Sequence, residues 1–379
     1  MSPSSYKKEK TRLEPSESTQ PSTETLQYEQ VYKIVAAEFD IEEGLMEYNA
    51  PTFYVTPKPN LKQAFLRLYK HLNSMQFVPI MRKRGERVML QVVPKPIVKP
   101  SRPLINVILF VATIGTTLVT GYLTSLASTE MMPELMPDPW IGAIMFSAAV
   151  MFMLGAHEMG HKLTANRHKI EATYPYFIPG LPPLGTFGAL IQEKSLPPSK
   201  DSFFDLGISG PLIGFLATII VTFIGVQLSV LLSEVPPDVQ VAPFQELFGI
   251  PLPFLFGVIL ILFPPAGSGS IIWLHPIVQA GYIGMIVTML NLMPVGQLDG
   301  GHIAHVLLGE KTRIILSLIA ILTLFFAGYW FMAIIAFLLG RVKHPDPLDG
   351  ISELSPARKL VTIAAIAIFI LSFVPLQLF

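Results

Sequence analysis

Long apolar blocks alternate with polar ones along this chain, and the apolar blocks set the predicted architecture. Six of them reach the roughly 20 residues that a helix needs to cross the hydrocarbon core of a bilayer. A seventh apolar stretch, residues 250–263, is shorter and flanked by prolines, which predicts a re-entrant or interfacial segment. The predicted spans are residues 104–127, 140–163, 206–232, 276–295, 314–339 and 360–378.

A different pattern precedes the first apolar block. Apolar side chains recur at helical spacing in residues 61–75, which predicts an amphipathic helix, and residues 51–56, 77–81 and 87–93 predict strands. Together they predict a small soluble α+β domain over residues 28–97. The sequence leaves open whether this domain regulates the protein, docks a substrate or only caps the membrane part.

The flanking segments complete the predicted domain organisation. Residues 1–27 have charge, Ser, Pro and Thr but no apolar core, which predicts a disordered tail rather than a signal peptide. Residues 98–103 predict a Pro-rich linker, and residues 104–379 the membrane-embedded domain. The predicted fold is a polytopic α-helical membrane protein with about six transmembrane helices and a small α+β N-terminal domain.

Composition agrees with a membrane protein and limits its chemistry. Hydrophobic residues make up 51% of the 379 positions and charged residues only 14%, which is too apolar for an ordinary soluble domain. The formal net charge is zero, so no nucleic-acid partner is expected. Because the chain has no cysteine, histidines and carboxylates are its candidate strong metal ligands.

The distribution of Lys and Arg predicts the orientation in the membrane. Residues 81–102 are rich in basic side chains and the loop 128–139 has none, so the positive-inside rule places the N-terminus in the cytoplasm. If 314–339 crosses the membrane once, the basic residues within 341–359 lie on the outer side, which disagrees with this rule. Either that stretch is a hairpin of two short helices or the rule fails locally. The lack of a recognisable transit peptide favours a prokaryotic plasma membrane.

Candidate catalytic chemistry lies at the end of the second predicted span. His157, Glu158 and His161 form an H-E-x-x-H motif, and on a helix both imidazoles lie on one face, where they can reach one ion. Glu158 projects beside them, where it can exchange a proton with water during amide hydrolysis. The preceding residues 140–156 carry no charge. A glutamate at that depth is a functional candidate, unless it snorkels to the interface.

Asp299 is the candidate third ligand that a catalytic zinc site requires. It follows the apolar stretch 276–290 and precedes two glycines that allow close backbone approach. The second and fourth predicted spans run in the same direction, so their ends lie at a similar depth. His302 and His305 are alternative ligands, and an ordinary helix-ending turn is the alternative interpretation of this segment.

The two motifs together resemble one known family. HEMGH at 157–161 joined to NLMPVGQLDGGH at 291–302 resembles the site-2 protease family of intramembrane zinc metalloproteases, over about residues 104–379. Within it, the chain is most similar to the branch with a soluble N-terminal domain that includes the chloroplast-type members. The resemblance implies one zinc ion per chain on His157, His161 and Asp299, with Glu158 as general acid and base and Asn291 near the substrate.

Two further stretches fit the resemblance. PLGTFGALIQ at 183–192 resembles the family's membrane-dipping β-loop, whose edge could pair with an extended substrate, since a helix hides its peptide bonds. A surface turn is the alternative. DLGISGPLIGF at 205–215 resembles a Gly-Pro region, where small residues favour close helix packing. The candidate substrate-binding residues of the loop are Gly185, Thr186, Phe187 and Gly188.

These observations predict an intramembrane zinc metalloprotease that cleaves in or near a transmembrane segment of a membrane protein. The alternative is a catalytically inactive scaffold that binds transmembrane helices. A peptidase with a glutamate as third ligand is disfavoured because no suitable downstream glutamate exists, and a transporter because no inverted repeat is visible. The expected partners are the substrate and the lipid bilayer, and the oligomeric state stays open, a homo-oligomer included.

Overall fold

The computed structural model describes residues 23–96, 102–233, 253–269, 271–326, 330–340 and 345–373. The chain divides into two compact units. The first takes in Met1–Lys99, Leu196–Ser202 and Pro345–Glu353, and the second takes in the remaining segments.

The N-terminal part of the first unit is an antiparallel sheet with two helices, and its strand order is β1-β2-β4-β3. Its elements are α1 (Thr23–Ala36), β1 (Ile41–Glu47), β2 (Ala50–Val55), α2 (Leu61–Ser74), β3 (Phe77–Arg84) and β4 (Arg87–Pro94). The predicted helix and all three predicted strands are present. Phe65, Leu68 and Leu72 of α2 are fully buried, as their spacing predicts, whereas Met75 is exposed.

Two elements of this unit differ from the sequence prediction. Helix α1 begins at Thr23, inside the segment 1–27 predicted to be disordered, because Val31 and Val35 further along the helix are buried in the core. Residues 1–22 of that predicted tail lie outside the described residues. Strand β1 was not predicted, because its sequence IEEGLME lacks a regular alternation of apolar and polar positions.

Distant segments of the chain complete the first unit, although the sequence predicts that they belong to a continuous membrane-embedded region from 104 to 379. Leu348 is buried in the hydrophobic core of this unit. Its carbonyl accepts hydrogen bonds from the Met81 N–H at 2.9 Å and from Arg82 Nη1 at 2.8 Å. Lys62 Nζ lies 3.1 Å from Asp201 Oδ2 and ties in the segment Leu196–Ser202. Contacts that are remote in sequence, not local patterns, therefore add these two segments to the unit.

From residue 103 onward the described chain is mostly helical. Its elements are α3 (Pro103–Met131), α4 (Pro139–Arg167), β5 (Tyr176–Pro179), β6 (Thr186–Leu190), α5 (Lys200–Gln227), β7 (Val230–Leu232), α6 (Phe254–Leu262), β8 (Ala266–Gly267), β9 (Ile271–Trp273), α7 (Pro276–Leu292), α8 (Asp299–Phe326), α9 (Trp330–Gly340) and α10 (Pro356–Phe373).

Three of these helices, α3, α4 and α5, are long and apolar enough to cross a membrane. Each leaves large apolar side chains exposed, among them Val111, Ile144 and Leu216, as expected of surfaces that face lipid. The fold is therefore that of a mostly helical membrane protein. Helix α6 has nine residues, about 14 Å of helix, which agrees with the prediction of a segment too short to cross.

Helix α7 lies at the centre of the second unit. It is 17 residues long and buried on almost every side, with Ala280, Met285 and Met289 fully inaccessible. His275 caps its N-terminus, and its Nδ1 accepts a hydrogen bond from the Ile277 N–H at 3.2 Å. Burial lowers the pKa of His275 to about 4, so the ring is neutral and can act as this acceptor.

The predicted span 314–339 is divided between two helices. Helix α8, which bends at Gly309, ends at Phe326, and α9 begins at Trp330. A side chain at Gly340 of α9 would touch Ile321 of α8, so the two helices pack together. Two helices in place of one are what the first of the two explanations requires, and the number of crossings stays a prediction. Residues 327–329, between the two helices, lie outside the described residues.

Candidate metal centre

Helix α4 presents the H-E-x-x-H motif on one continuous face. Asp138 caps the helix by accepting a hydrogen bond from the Trp140 N–H at 2.8 Å, and no proline follows between Trp140 and the motif. His157 and His161 are one turn apart and buried, and their Nε2 atoms are 3.1 Å from each other. The two imidazoles therefore present their ring nitrogens to one point.

Asp299, the first residue of α8, completes a group of three candidate ligands. Its Oδ2 lies 3.3 Å from His157 Nε2 and 3.3 Å from His161 Nε2. Ligands about 2.0–2.1 Å from a tetrahedral zinc ion are about 3.3 Å from one another. This nearly equilateral triangle of donors therefore fits one zinc ion, and among the described residues it is the one such group of His, Asp and Glu side chains.

Two glycines allow Asp299 to reach this position. Residues 293–298 turn the chain between α7 and α8, with Gly296 in the left-handed region at φ 45°. A side chain at Gly300 would overlap the Leu292 carbonyl oxygen, and one at Gly301 would overlap that of Gly296. The close backbone approach predicted from these glycines is therefore present, and it brings the end of α7 and the start of α8 together.

The small residues of α5 pack directly behind the histidines. A side chain at Gly210 would overlap His161 Nε2, and one at Gly214 would lie 2.9 Å from His157 Nδ1. The Nδ1 of His161 is 2.8 Å from the Leu206 carbonyl oxygen, to which it can donate, and Nε2 is then left for a metal. The Gly-Pro region thus allows close helix packing, as predicted. It packs against the two histidines of α4.

Gly210→Ala is expected to weaken zinc binding by about 10- to 100-fold, the range typical of changes behind a metal ligand. The added methyl group overlaps the His161 ring, so the ring must rotate or the two helices must separate. Zinc affinity is measured on the full-length chain in detergent by competition with a chromogenic chelator.

Gly155→Ala is the matched control for this change. Gly155 lies on α4 close to His157, but a methyl group there would have no neighbour within 4 Å. We expect this variant to bind zinc as the wild type does. Equal zinc affinities for the two variants would contradict the packing of α5 against His161.

Glu158 lies beside the donor triangle without being part of it. Its Oε1 is 3.9 Å from His157 Nε2, and its side chain is 6% exposed. The backbone N–H of Ile191, the residue after β6, donates a hydrogen bond to this carboxylate. Asn291, on α7, places its Nδ2 3.3 Å from His157 Nε2. A carboxylate and an amide thus both lie within 4 Å of the candidate ligand His157.

The segment predicted as a β-loop is a hairpin of β5 and β6. Gly185 and Gly188 adopt positive φ angles of 75° and 102°, which favour glycine. Phe187 is 58% exposed. Thr186 was predicted to bind substrate, but its side chain is buried, because its hydroxyl donates to the Ile178 carbonyl at 2.8 Å across the hairpin. Within the described residues β6 pairs with β5 alone, so its other edge lacks a strand partner.

Several groups near the centre have no sequence signal of their own. The Leu206 carbonyl belongs to the backbone, and only the close packing of α5 on α4 brings it to His161. Glu193 lies close enough to His161 and Asp299 to interact with them electrostatically, yet it stands in a loop outside any motif. Its position just after the predicted β-loop was the one available hint.

A histidine and aspartate centre of zinc dimensions, with an adjacent glutamate, lies among helices of membrane-spanning length, which is the arrangement that a membrane metalloprotease requires. Comparison with known families agrees. Residues 145–335, slightly more than half of the chain, match the family described as peptidase family M50. The chain belongs to this family, which is the site-2 protease family, and the family resemblance predicted from the two motifs is thereby confirmed.

The chain is also similar to several plant proteins. It is 27% identical over 327 residues to "Probable zinc metalloprotease EGY1, chloroplastic" of Arabidopsis thaliana, covering 77% of this chain and 57% of that protein. It is 29% identical over 246 residues to the EGY2 protein of the same plant, covering 62% and 41%. The chain spans about half the length of these curated relatives or less. No solved structure matches it.

The names of these relatives bear on the predicted compartment. They are chloroplastic proteins, whereas the sequence analysis favours a prokaryotic plasma membrane. Family membership and the apolar helices support a membrane location. The kind of membrane stays a prediction.

Proposed function

We propose that this chain is an intramembrane zinc metalloprotease that hydrolyses a peptide bond in or near a transmembrane segment of a membrane-protein substrate. The observation that carries the proposal is the triangle of His157, His161 and Asp299 donors, 3.1 to 3.3 Å apart. Membership of peptidase family M50 and the names of the relatives support the reaction class.

The residues around the triangle have complementary roles in this proposal. Zinc supplies Lewis acidity, which polarises a carbonyl group and makes water more nucleophilic at neutral pH. Glu158 takes a proton from the attacking water and returns it to the leaving amine. The Ile191 N–H orients this carboxylate. Asn291 Nδ2 is a donor for the substrate carbonyl oxygen on which negative charge develops.

The hairpin of β5 and β6 is suited to present the substrate. Hydrolysis needs an extended peptide, and the open edge of β6 offers backbone groups that can pair with one. Ile191 directly follows β6 and contacts Glu158, so a strand added there would run close to the general base. The exposed ring of Phe187 can contact substrate or lipid.

The composition of the first unit supports the proposed membrane topology. This unit contains the N-terminal domain, Leu196–Ser202 and Pro345–Glu353, and the proposal assigns all three to one side of the membrane. This assignment requires an even number of crossings between Ser202 and Pro345. With one crossing each assigned to α5 and α7, the helices α8 and α9 together return the chain to the side from which they start. The positive-inside rule assigns this side to the cytoplasm or its equivalent.

Reconstitution of the full-length chain with a substrate tests the proposed function. The substrate is a single-span reporter tagged at both ends and placed in the same liposomes. We expect cleavage in or beside the span, mapped by mass spectrometry, that stops on zinc chelation and returns when zinc is restored. An intact reporter in the presence of zinc-loaded chain, or cleavage indifferent to chelation, would favour the inactive scaffold.

A further inference from the structure

A three-residue ionic cluster joins three helices of the second unit close to the metal centre. The Asp205 carboxylate on α5 accepts two hydrogen bonds from Arg358, Nε to Oδ1 at 2.7 Å and Nη2 to Oδ2 at 2.6 Å. His168 Nε2 lies 2.9 Å from the same Oδ2. Arg358 stands in the first turn of α10, and His168 is the C-terminal cap of α4.

The position of this cluster along α5 links it to the metal ligands. Asp205 directly precedes Leu206, whose carbonyl oxygen lies 2.8 Å from His161 Nδ1. Gly210, one helical turn further, is in contact with the His161 ring. Any rotation or translation of α5 that moves Asp205 therefore also moves the carbonyl that orients His161. None of the three cluster residues is a member of the donor triangle.

The geometry of the cluster is suited to hold α5 in one register. A two-pronged contact between arginine and a carboxylate fixes both distance and orientation, and charged hydrogen bonds are roughly twice as strong as neutral ones. Asp205 and Arg358 are about three-quarters buried, with 26% and 27% of their side chains exposed, so solvent screens the pair only partly. His168 adds a contact to the end of the helix that carries both metal-binding histidines.

We propose that Asp205 is a positioning residue for the metal centre. Its contacts with Arg358 and His168 set the register of α5 against α4, so that the Leu206 carbonyl meets His161 Nδ1 and aims Nε2 at the ion. The inference rests on the proposed zinc site but not on proteolysis. Asp205 contacts neither the ion nor a substrate in this assignment.

Asp205→Asn in the full-length chain tests the proposal through metal binding alone. We expect zinc affinity to fall about 10-fold or more, as when a partner of a metal-ligating histidine is lost, because the Leu206 carbonyl moves away from His161. We also expect the visible absorption spectrum of the cobalt-loaded chain to change, because the imidazole of His161 is reoriented. Arg358→Gln should reproduce both effects, and the double variant should be no worse than either single one.

Glu38→Gln is the matched control, because Glu38 forms a comparable two-pronged pair with Arg67 within the first unit. It should leave zinc affinity and the cobalt spectrum unchanged. If Asp205→Asn does not fold, Arg358→Lys decides the question, since lysine keeps the charge but loses the fork. A wild-type zinc affinity in a folded Asp205→Asn or Arg358→Lys chain overturns the proposal. Failure of the wild type to bind zinc would instead refute the proposed metal site.

Discussion

Glu158→Gln is expected to abolish peptide hydrolysis while zinc remains bound. Glutamine has nearly the same shape but cannot accept the proton of the attacking water, and the loss of a general base typically costs about 10²- to 10⁴-fold in rate. Zinc should stay, because the Glu158 carboxylate is outside the donor triangle, 3.9 Å from His157 Nε2. The measurement compares cleavage of the single-span reporter at equal zinc occupancy, which metal analysis of the purified chain provides.

Glu130→Gln is the control for this change. Glu130 is an exposed glutamate near the end of α3, and its substitution removes the same charge away from the centre. The Glu130→Gln variant should cleave the reporter at the wild-type rate. If Glu158→Gln also cleaves at that rate, Glu158 is not the base and the assignment fails.

Asp299→Asn is expected to weaken zinc binding by about 100-fold or more. The substitution removes the anionic member of the triangle and leaves two neutral imidazoles for a doubly charged ion. The loss should exceed the 10- to 100-fold typical of residues that act through a ligand. Chelator competition on the full-length chain measures it at one fixed pH for both chains, because protons compete with metal for these groups.

His302→Ala separates Asp299 from the alternative ligand that the sequence analysis left open. His302 lies one turn after Asp299 on α8, and its ring packs against Phe203 rather than entering the donor triangle. We expect this variant to keep its zinc. The opposite pattern, with zinc retained by Asp299→Asn and lost by His302→Ala, would assign His302 as the third ligand.

Local spacing was sufficient to predict part of the centre. The positions of His157, Glu158 and His161 follow from helical geometry, since residues four apart share a face. Asp299 is remote in sequence, and its prediction needed both the direction of the predicted spans and the family resemblance. The structure brings it within 3.3 Å of both imidazoles. The buried side chain of Thr186 follows from the pairing of β5 with β6, which the motif alone does not specify.

Other features depend on tertiary contacts that no local pattern contains. The rotation of α5 about its axis decides that Gly210 faces His161 and that Asp205 meets Arg358. Hydrophobicity alone could not divide 314–339 into two helices, because apolar side chains dominate both halves. The segment Pro345–Glu353 reads as a polar loop, yet Leu348 occupies the core of the first unit.

The insertion of Leu348 into the first unit has a consequence for the order of biosynthesis. The ribosome completes β4 at Pro94 but must add the residues up to 348 before this core can close. At about 5–20 residues per second, that interval lasts roughly 13–50 s. During it the Leu348 site of this core stays unfilled and β3 stays an unpaired sheet edge, the kind of edge that pairs readily with other chains. Maturation of the N-terminal domain thus waits until the later helices have been translated.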